Sequence, residues 1–212
     1  MNLAGFAKFC LSPRNVYRFY QMTVDGYLIE SGWMASARMR RPVDKDGNPT
    51  PWFTTNFVGF LGPRLRSDFS VLEFGAGNST MFFAKIVKSV TSIEDNQEWH
   101  SRLTSMIQND RVKLHFLTGE PYYKAARSFQ QKYHIIVVDG SHRFECAANS
   151  VDSLAPSGVI ILDNSLRPEY VPIYELLHAK GFRHIDFWGM AGGSRKHNCT
   201  TVFYRDANCL GI

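Results

Sequence analysis

The sequence lacks several features that would assign its class at once. Its four cysteines, Cys10, Cys146, Cys199 and Cys209, show neither CxxC clustering nor paired spacing, so neither a zinc site nor a disulfide framework is indicated. No stretch approaches the roughly 18 consecutive apolar residues of a membrane span. Met1 to Leu11 holds only a short apolar patch, interrupted by Lys8 and without a small-residue cleavage site. Internal repeats and low-complexity segments are absent. The excess of base is small, a net charge of +5, and its densest point is Arg38-Met39-Arg40-Arg41, read as a solvated stretch in preference to a phosphate-binding patch. These absences lead us to expect a cytoplasmic protein with reduced thiols, no membrane partner and no dedicated nucleic-acid surface.

What is present describes one globular unit with an appendage. The 212 residues are 44% hydrophobic and 20% charged, enough for one substantial core and too few for two enzymes. Residues 1–50 read as an N-terminal extension, serving as a lid, a substrate wall or an interface such as a homodimer contact, and residues 51–212 as the main domain. After the turn signal at Asp44-Lys45-Asp46-Gly47-Asn48-Pro49, the segment from Pro51 to Leu65 reads as a helix, with Phe53, Phe57, Phe60 and Leu61 at helical spacing. Trp52 and Thr54 would either close over a ligand or simply pack.

From Phe69 onward short apolar runs alternate with amphipathic ones, the pattern of βα units around a parallel sheet buried on both faces. Strands are expected at Ser70 to Phe74, Ser89 to Glu94, Val112 to Leu117, His134 to Asp139 and Gly158 to Leu162. Helices are expected at Ser79 to Lys88, Gln97 to Ile107, Pro121 to Phe129, Phe144 to Leu154 and Val171 to Lys180. The last two strand-like runs, Arg183 to Trp188 and Thr200 to Arg205, have only a Gly-rich loop between them. A parallel neighbour needs a crossover of about a dozen residues, so this pair should be antiparallel.

In an open parallel sheet, ligands sit beyond the carboxyl ends of the strands. The first strand ends in Glu73-Phe74-Gly75-Ala76-Gly77-Asn78-Ser79-Thr80, where two glycines permit a tight turn and close approach to a ligand, and Thr80 stands where a third glycine of a dinucleotide fingerprint would be. Glu73 is suited to accept from backbone amides of that loop or from a cationic ligand. The second strand ends at Glu94-Asp95, where Glu94 is preferred as acceptor for ribose hydroxyls and Asp95 is the alternative or the cap of the next helix. At the third, Gly119 and Glu120 either meet an adenine edge or stabilise a helix N-terminus.

The fourth and fifth strands end in Asp139-Gly140-Ser141-His142 and Asp163-Asn164-Ser165. If these are neighbours, Asp139, Asp163 and Asn164 bring hard oxygen donors to one rim, fit for Mg²⁺, or else Asp139 meets a cofactor while Asp163 and Asn164 cap loops. His142 would either take a proton from an acceptor or be solvated.

These motifs in order resemble the class I S-adenosylmethionine-dependent methyltransferases over residues 52–205. More narrowly, Pro51-Trp52-Phe53-Thr54, the Glu73 to Thr80 turn, Val138-Asp139-Gly140, Asp163-Asn164-Ser165, Asp186-Phe187-Trp188-Gly189 and Thr200-Thr201-Val202-Phe203-Tyr204 look like a bacterial group of methyltransferase-like proteins. Asp139, Asp163 and Asn164 also match the magnesium positions of catechol O-methyltransferase-type enzymes, from which Gly140-Ser141-His142 departs. The resemblance implies a Rossmann-like α/β fold with a seven-stranded, mostly parallel sheet and an antiparallel C-terminal hairpin. It implies S-adenosylmethionine held by Glu73, Gly75, Ala76, Gly77, Asn78, Ser79, Thr80, Glu94, Asp95, Gly119, Glu120 and Asp139. It implies methyl transfer to an oxygen, less readily a nitrogen, of a small molecule or sugar-containing acceptor, with Asp139, His142, Asp163 and Asn164 at the chemistry. The amino-methylating Asp/Asn-Pro-Pro-Tyr/Phe signature is absent, which sets nucleic-acid methylation second. A non-catalytic binding protein is the remaining alternative.

Overall fold

The computed structural model describes residues 2–212. Four helices come first: α1 (Leu3–Cys10), α2 (Pro13–Val24), α3 (Tyr27–Glu30) and α4 (Trp33–Met39). They are followed by α5 (Thr55–Leu61), shorter than the helix expected from Pro51 to Leu65. Pro51 precedes it outside any helix, Trp52 and Phe53 form a bend, and Gly62–Arg64 tightens into a 3₁₀ turn. Then come β1 (Ser70–Phe74), α6 (Asn78–Ala84), β2 (Ser89–Glu94), α7 (Gln97–Met106), β3 (Val112–Phe116) and α8 (Gly119–Ser128). The chain continues through β4 (Tyr133–Val138), α9 (Arg143–Ser150), β5 (Leu154–Asp163) and α10 (Val171–Ala179) to β6 (Arg183–Met190) and β7 (His197–Tyr204).

The strands form one seven-stranded sheet in the order β3-β2-β1-β4-β5-β7-β6. β1 to β5 are mutually parallel, and β7 runs antiparallel to both β5 and β6, as the missing crossover required. The order reverses at β1, which lies between β2 and β4, so the rim above β1 and β4 is the switch point at which such sheets bind ligands.

Alternate residues of the central strands feed two cores. Leu72 and Phe74, Ile136 and Val138, and Ile160 and Leu162 point to one face, against Tyr122 of α8, Ala147 of α9 and Leu177 of α10. Val71, Ile135 and Val137, and Val159 and Ile161 point to the other, against Phe57 and Leu61 of α5 and Phe83 of α6. Phe53 and Phe57 are wholly buried, each stabilising the fold by about 2 kcal/mol relative to exposure. The edge strands β3 and β6 are only partly buried.

The early segment is divided. No residue of α2 is buried, whereas residues 33–54 lie against the C-terminal hairpin. The Trp33 indole donates to Ser194 O at 2.8 Å, Trp52 to Gly192 O at 3.0 Å, and Thr54 N to Thr200 Oγ1 at 3.0 Å. The Asp44 turn forms as expected, its carboxylate accepting from the Asp46 and Asn48 amides.

Candidate functional site

The glycine turn after β1 is held from beneath by a short relay. Glu73 is fully buried, and its Oε2 accepts from Thr80 Oγ1 and Ser92 Oγ, both at 2.7 Å. Thr80 Oγ1 in turn accepts from Gly77 N at 3.1 Å. Glu73 therefore reaches the loop amides through Thr80 rather than directly, and Thr80 has a task that a third glycine could not perform. Burial pushes the Glu73 carboxyl up to about 7, against the pull of its hydroxyl partners. Its Oε1 is buried without a partner among the described residues, an acceptor still open beneath the turn.

Gly75 has φ of +91°, and a Cβ there would sit 2.9 Å from Gly140 N, so the turns after β1 and β4 touch backbone to backbone. Gly140 is equally constrained, because a Cβ would collide with the Tyr122 hydroxyl. Glu94, at the end of β2, aims its carboxylate by accepting from Ala76 N at 3.2 Å and from the Asp95 and Asn96 amides at 3.1 and 2.9 Å. The cap of α7 is Asn96, accepting from Trp99 N, and not Asp95. The Trp99 indole donates to Ala76 O at 2.8 Å.

An open cavity of about 390 Å³ lies over this turn, lined by Gly75, Ala76, Gly77, Asn78, Ser79, Glu94, Asp95 and Asp139. It also takes in Trp52, one of the two residues expected either to close over a ligand or to pack, and Arg40, Arg41, Pro42 and Trp99, which the sequence reading had not placed there. Arg40 and Arg41 are exposed, as expected of a solvated stretch, and also border this cavity, and Asn78 Nδ2 donating to Pro42 O ties that border to α6.

Gly119, Glu120 and His142 are not brought to this cavity, and Glu73 and Thr80, both fully buried, lie beneath the turn without lining it. Glu120 is exposed and pairs along its helix with Lys124, the helix-terminal role left open for it. The His142 ring lies beside Tyr123, at 5.6 Å between centroids, with its backbone at φ of +51°.

The rim of β4 and β5 corrects the expected cation site. Asp139, Asp163 and Asn164 do converge, but the guanidinium of Arg143, only 8% exposed, stands among them. Its Nη2 donates to Asp139 Oδ1 at 3.0 Å, Asp139 O at 2.8 Å and Asn164 Oδ1 at 3.3 Å; Nη1 donates to Asp163 O and Nε to Gly140 O. A fixed positive charge in that place would repel Mg²⁺, and among the described residues no group of three His, Cys, Asp or Glu side chains is set to hold a metal. The oxygens that hard-cation chemistry would use accept from an arginine fork instead.

Asp163 is 2% exposed, and its Oδ1 accepts from Thr200 Oγ1 at 2.6 Å. Burial, reinforced by the nearby Asp139 charge, raises its carboxyl to about 7. A second open cavity, about 640 Å³, lies on this side, lined by Asp139, Arg143, Asp163, Asn164, Arg167 and Lys196 among others. Asp139 and Trp52 line both cavities, so the two share a boundary.

Residues 72–165 match the family model of a methyltransferase domain. The chain matches no curated protein sequence. Its fold resembles precorrin-6y C5,15-methyltransferase from Geobacter metallireducens, with a TM-score of 0.58 and 15% identity over 78% of this chain and 98% of that one. It also resembles precorrin 8w decarboxylase from Methanobacterium thermoautotrophicum, with a TM-score of 0.54 and 21% identity over 69% and 87% of the two chains. An rRNA methylase from Streptococcus thermophilus follows, with a TM-score of 0.51 and 15% identity over 69% and 92%.

Proposed function

We propose that this chain is a class I S-adenosylmethionine-dependent methyltransferase that methylates an oxygen, with nitrogen second, of a small-molecule or sugar-containing acceptor seated in the cavity beyond Asp139 and Asp163. The observation that carries this reading is the shared boundary: a donor over the Gly75 turn and an acceptor beside Asp163 would meet at Asp139 and Trp52. Methyl transfer depends on an in-line approach, so placing both molecules supplies much of the rate.

The residues present suit S-adenosylmethionine. Glu94 presents an oriented carboxylate to ribose hydroxyls, the turn of Gly75, Ala76 and Gly77 lets the backbone approach, and Glu73 holds that turn from beneath through Thr80. When bound, the sulfonium donor supplies an electrophilic methyl group: the acceptor oxygen forms the new bond to carbon, the sulfur keeps the electron pair of the broken one, and the hydroxyl proton must leave. Asp163, with its carboxyl near 7 and Oδ1 held by Thr200, is positioned to take that proton. Asp139, tied to Arg143, orients the reacting group at the boundary. His142, beside Tyr123, is left without a part. A cytoplasmic setting accompanies this reading, in keeping with Cys10, Cys146, Cys199 and Cys209 all being free thiols.

Isothermal titration with S-adenosylhomocysteine, followed by a screen of hydroxylated and amino acceptors with an RNA arm, tests the reading. Asp163→Asn should lower kcat by about 10²-fold while leaving S-adenosylhomocysteine affinity unchanged. Turnover on RNA alone would overturn the small-molecule acceptor, and cofactor binding without any turnover would leave a binding protein.

A further inference from the structure

We infer that the acceptor carries an anionic group, a carboxylate or a phosphate or sulfate ester, seated against a cationic wall made by Arg143, Arg167 and Lys196. This rests on the proposed methyl transfer and adds the substrate's charge. The anchor is Arg143. A guanidinium has five N–H donors. Nε is used by Gly140 O, Nη2 by Asp139 and Asn164, and one Nη1 hydrogen by Asp163 O. The second Nη1 hydrogen has no acceptor among the described residues, on a side chain that is 8% exposed and lines the 640 Å³ cavity. A buried charged donor without a partner is costly unless something supplies one.

Arg167 and Lys196 line the same cavity from the loop after β5 and from the β6–β7 loop. Neither makes an ion pair among the described residues, although Arg66, Arg102, Arg127 and Arg183 all have acidic partners. The two acids of the cavity do not cancel this charge. Asp139 is engaged by Arg143, and the buried Asp163 carboxyl, at about 7, is partly protonated near neutrality. Asn164 and Asn198, linked at 3.2 Å, add neutral amides to the wall and no negative charge.

The test uses the full chain saturated with S-adenosylhomocysteine, titrated calorimetrically with phenyl phosphate, benzoate and benzyl alcohol, three probes of similar ring size. Both anions, or one, should bind at least about tenfold more tightly than the alcohol, and the preferred anion identifies phosphate or carboxylate as the source. The double variant Arg167→Ala/Lys196→Ala, changed only at exposed positions, should lose that preference while its affinities for benzyl alcohol and S-adenosylhomocysteine stay as in the unaltered chain. Equal binding of the alcohol, an unchanged preference in the double variant, or no binding of either anion at millimolar concentration would overturn the inference. Failure of S-adenosylhomocysteine itself to bind would instead count against the methyltransferase reading, so the two failures are distinguishable.

Discussion

The rims above β1–β2 and β4–β5 both end in buried acids, but they hold those acids by opposite means. Over β1 and β2, among the described residues Glu73 and Glu94 accept only from hydroxyls and backbone amides, and no cationic side chain pairs with either. Over β4 and β5, Asp139 is tied to a buried guanidinium that also gathers three backbone carbonyls. Neutral donors set the shape of a loop and leave its charge as it was. An arginine fork sets shape and charge together, and it takes the place where a metal could otherwise enter. The first rim therefore offers backbone and neutral donors above its acids, as the proposed cofactor site requires, and the second presents a permanent positive charge.

The largest way to break this comparison is Arg143→Met, which strands Asp139 and the carbonyls of Gly140 and Asp163. It should cost about 3 to 5 kcal/mol in urea unfolding, as breaking a buried pair does. A cost near that of an exposed pair, about 0 to 1 kcal/mol, would make Arg143 peripheral. The corresponding test at the first rim is Gly75→Ala. A Cβ 2.9 Å from Gly140 N at φ of +91° should cost about 1 to 3 kcal/mol and lower S-adenosylhomocysteine affinity with it.

Glu73→Gln sharpens the contrast through pH. The folded Glu73 carboxyl lies near 7 against an ordinary 4.5, so the native state keeps its proton longer than the unfolded chain does. Stability should then fall as pH rises from about 4.5 to about 7 and level off above that, because the native state binds more protons across this window. The Gln variant should gain on the unaltered protein across this interval, losing the Glu73 share of the slope and keeping that of Asp163, a difference read from melting temperature against pH. The smallest effect is expected from His142→Asn, which keeps a residue tolerant of the left-handed backbone and removes the imidazole. Turnover should change by less than about twofold, as for a side chain away from the chemistry. A loss of about 10²-fold would restore His142 as the base.

The strands and the antiparallel last pair were legible in the sequence because they follow from alternating burial and from the missing crossover before the last strand. The starts of β5 and β7 were not. β5 begins at Leu154, four residues before the expected Gly158, because Leu154 pairs with Tyr133 across a shift in register. β7 begins at His197, whose polar start pairs with Met190 and carries no apolar signal. In the site, the acids at strand ends were visible because topology places them. Their partners were not, since Thr80 looked like a lost glycine and Arg143 fell just outside the helix expected from Phe144. The spacing of Asp139 and Arg143, four residues apart, was the available sign, but it spans a turn rather than a helix. Arg40, Arg41 and Trp99 reach the cavity through tertiary packing that no local pattern encodes.

The anchoring of Trp33, Trp52 and Thr54 to Ser194, Gly192 and Thr200 has a consequence for synthesis. Each bond joins an early residue to a partner at least 140 positions later. As the chain leaves the ribosome, Trp52, which borders both cavities, emerges early and has no acceptor for its indole until Gly192 follows. A nascent chain halted after β5 would already contain every residue lining the cavity over the Gly75 turn and would still lack Ala191, Ser194, Lys196, His197 and Asn198 of the other, so the first cavity can form before the second, which is completed only by the final hairpin.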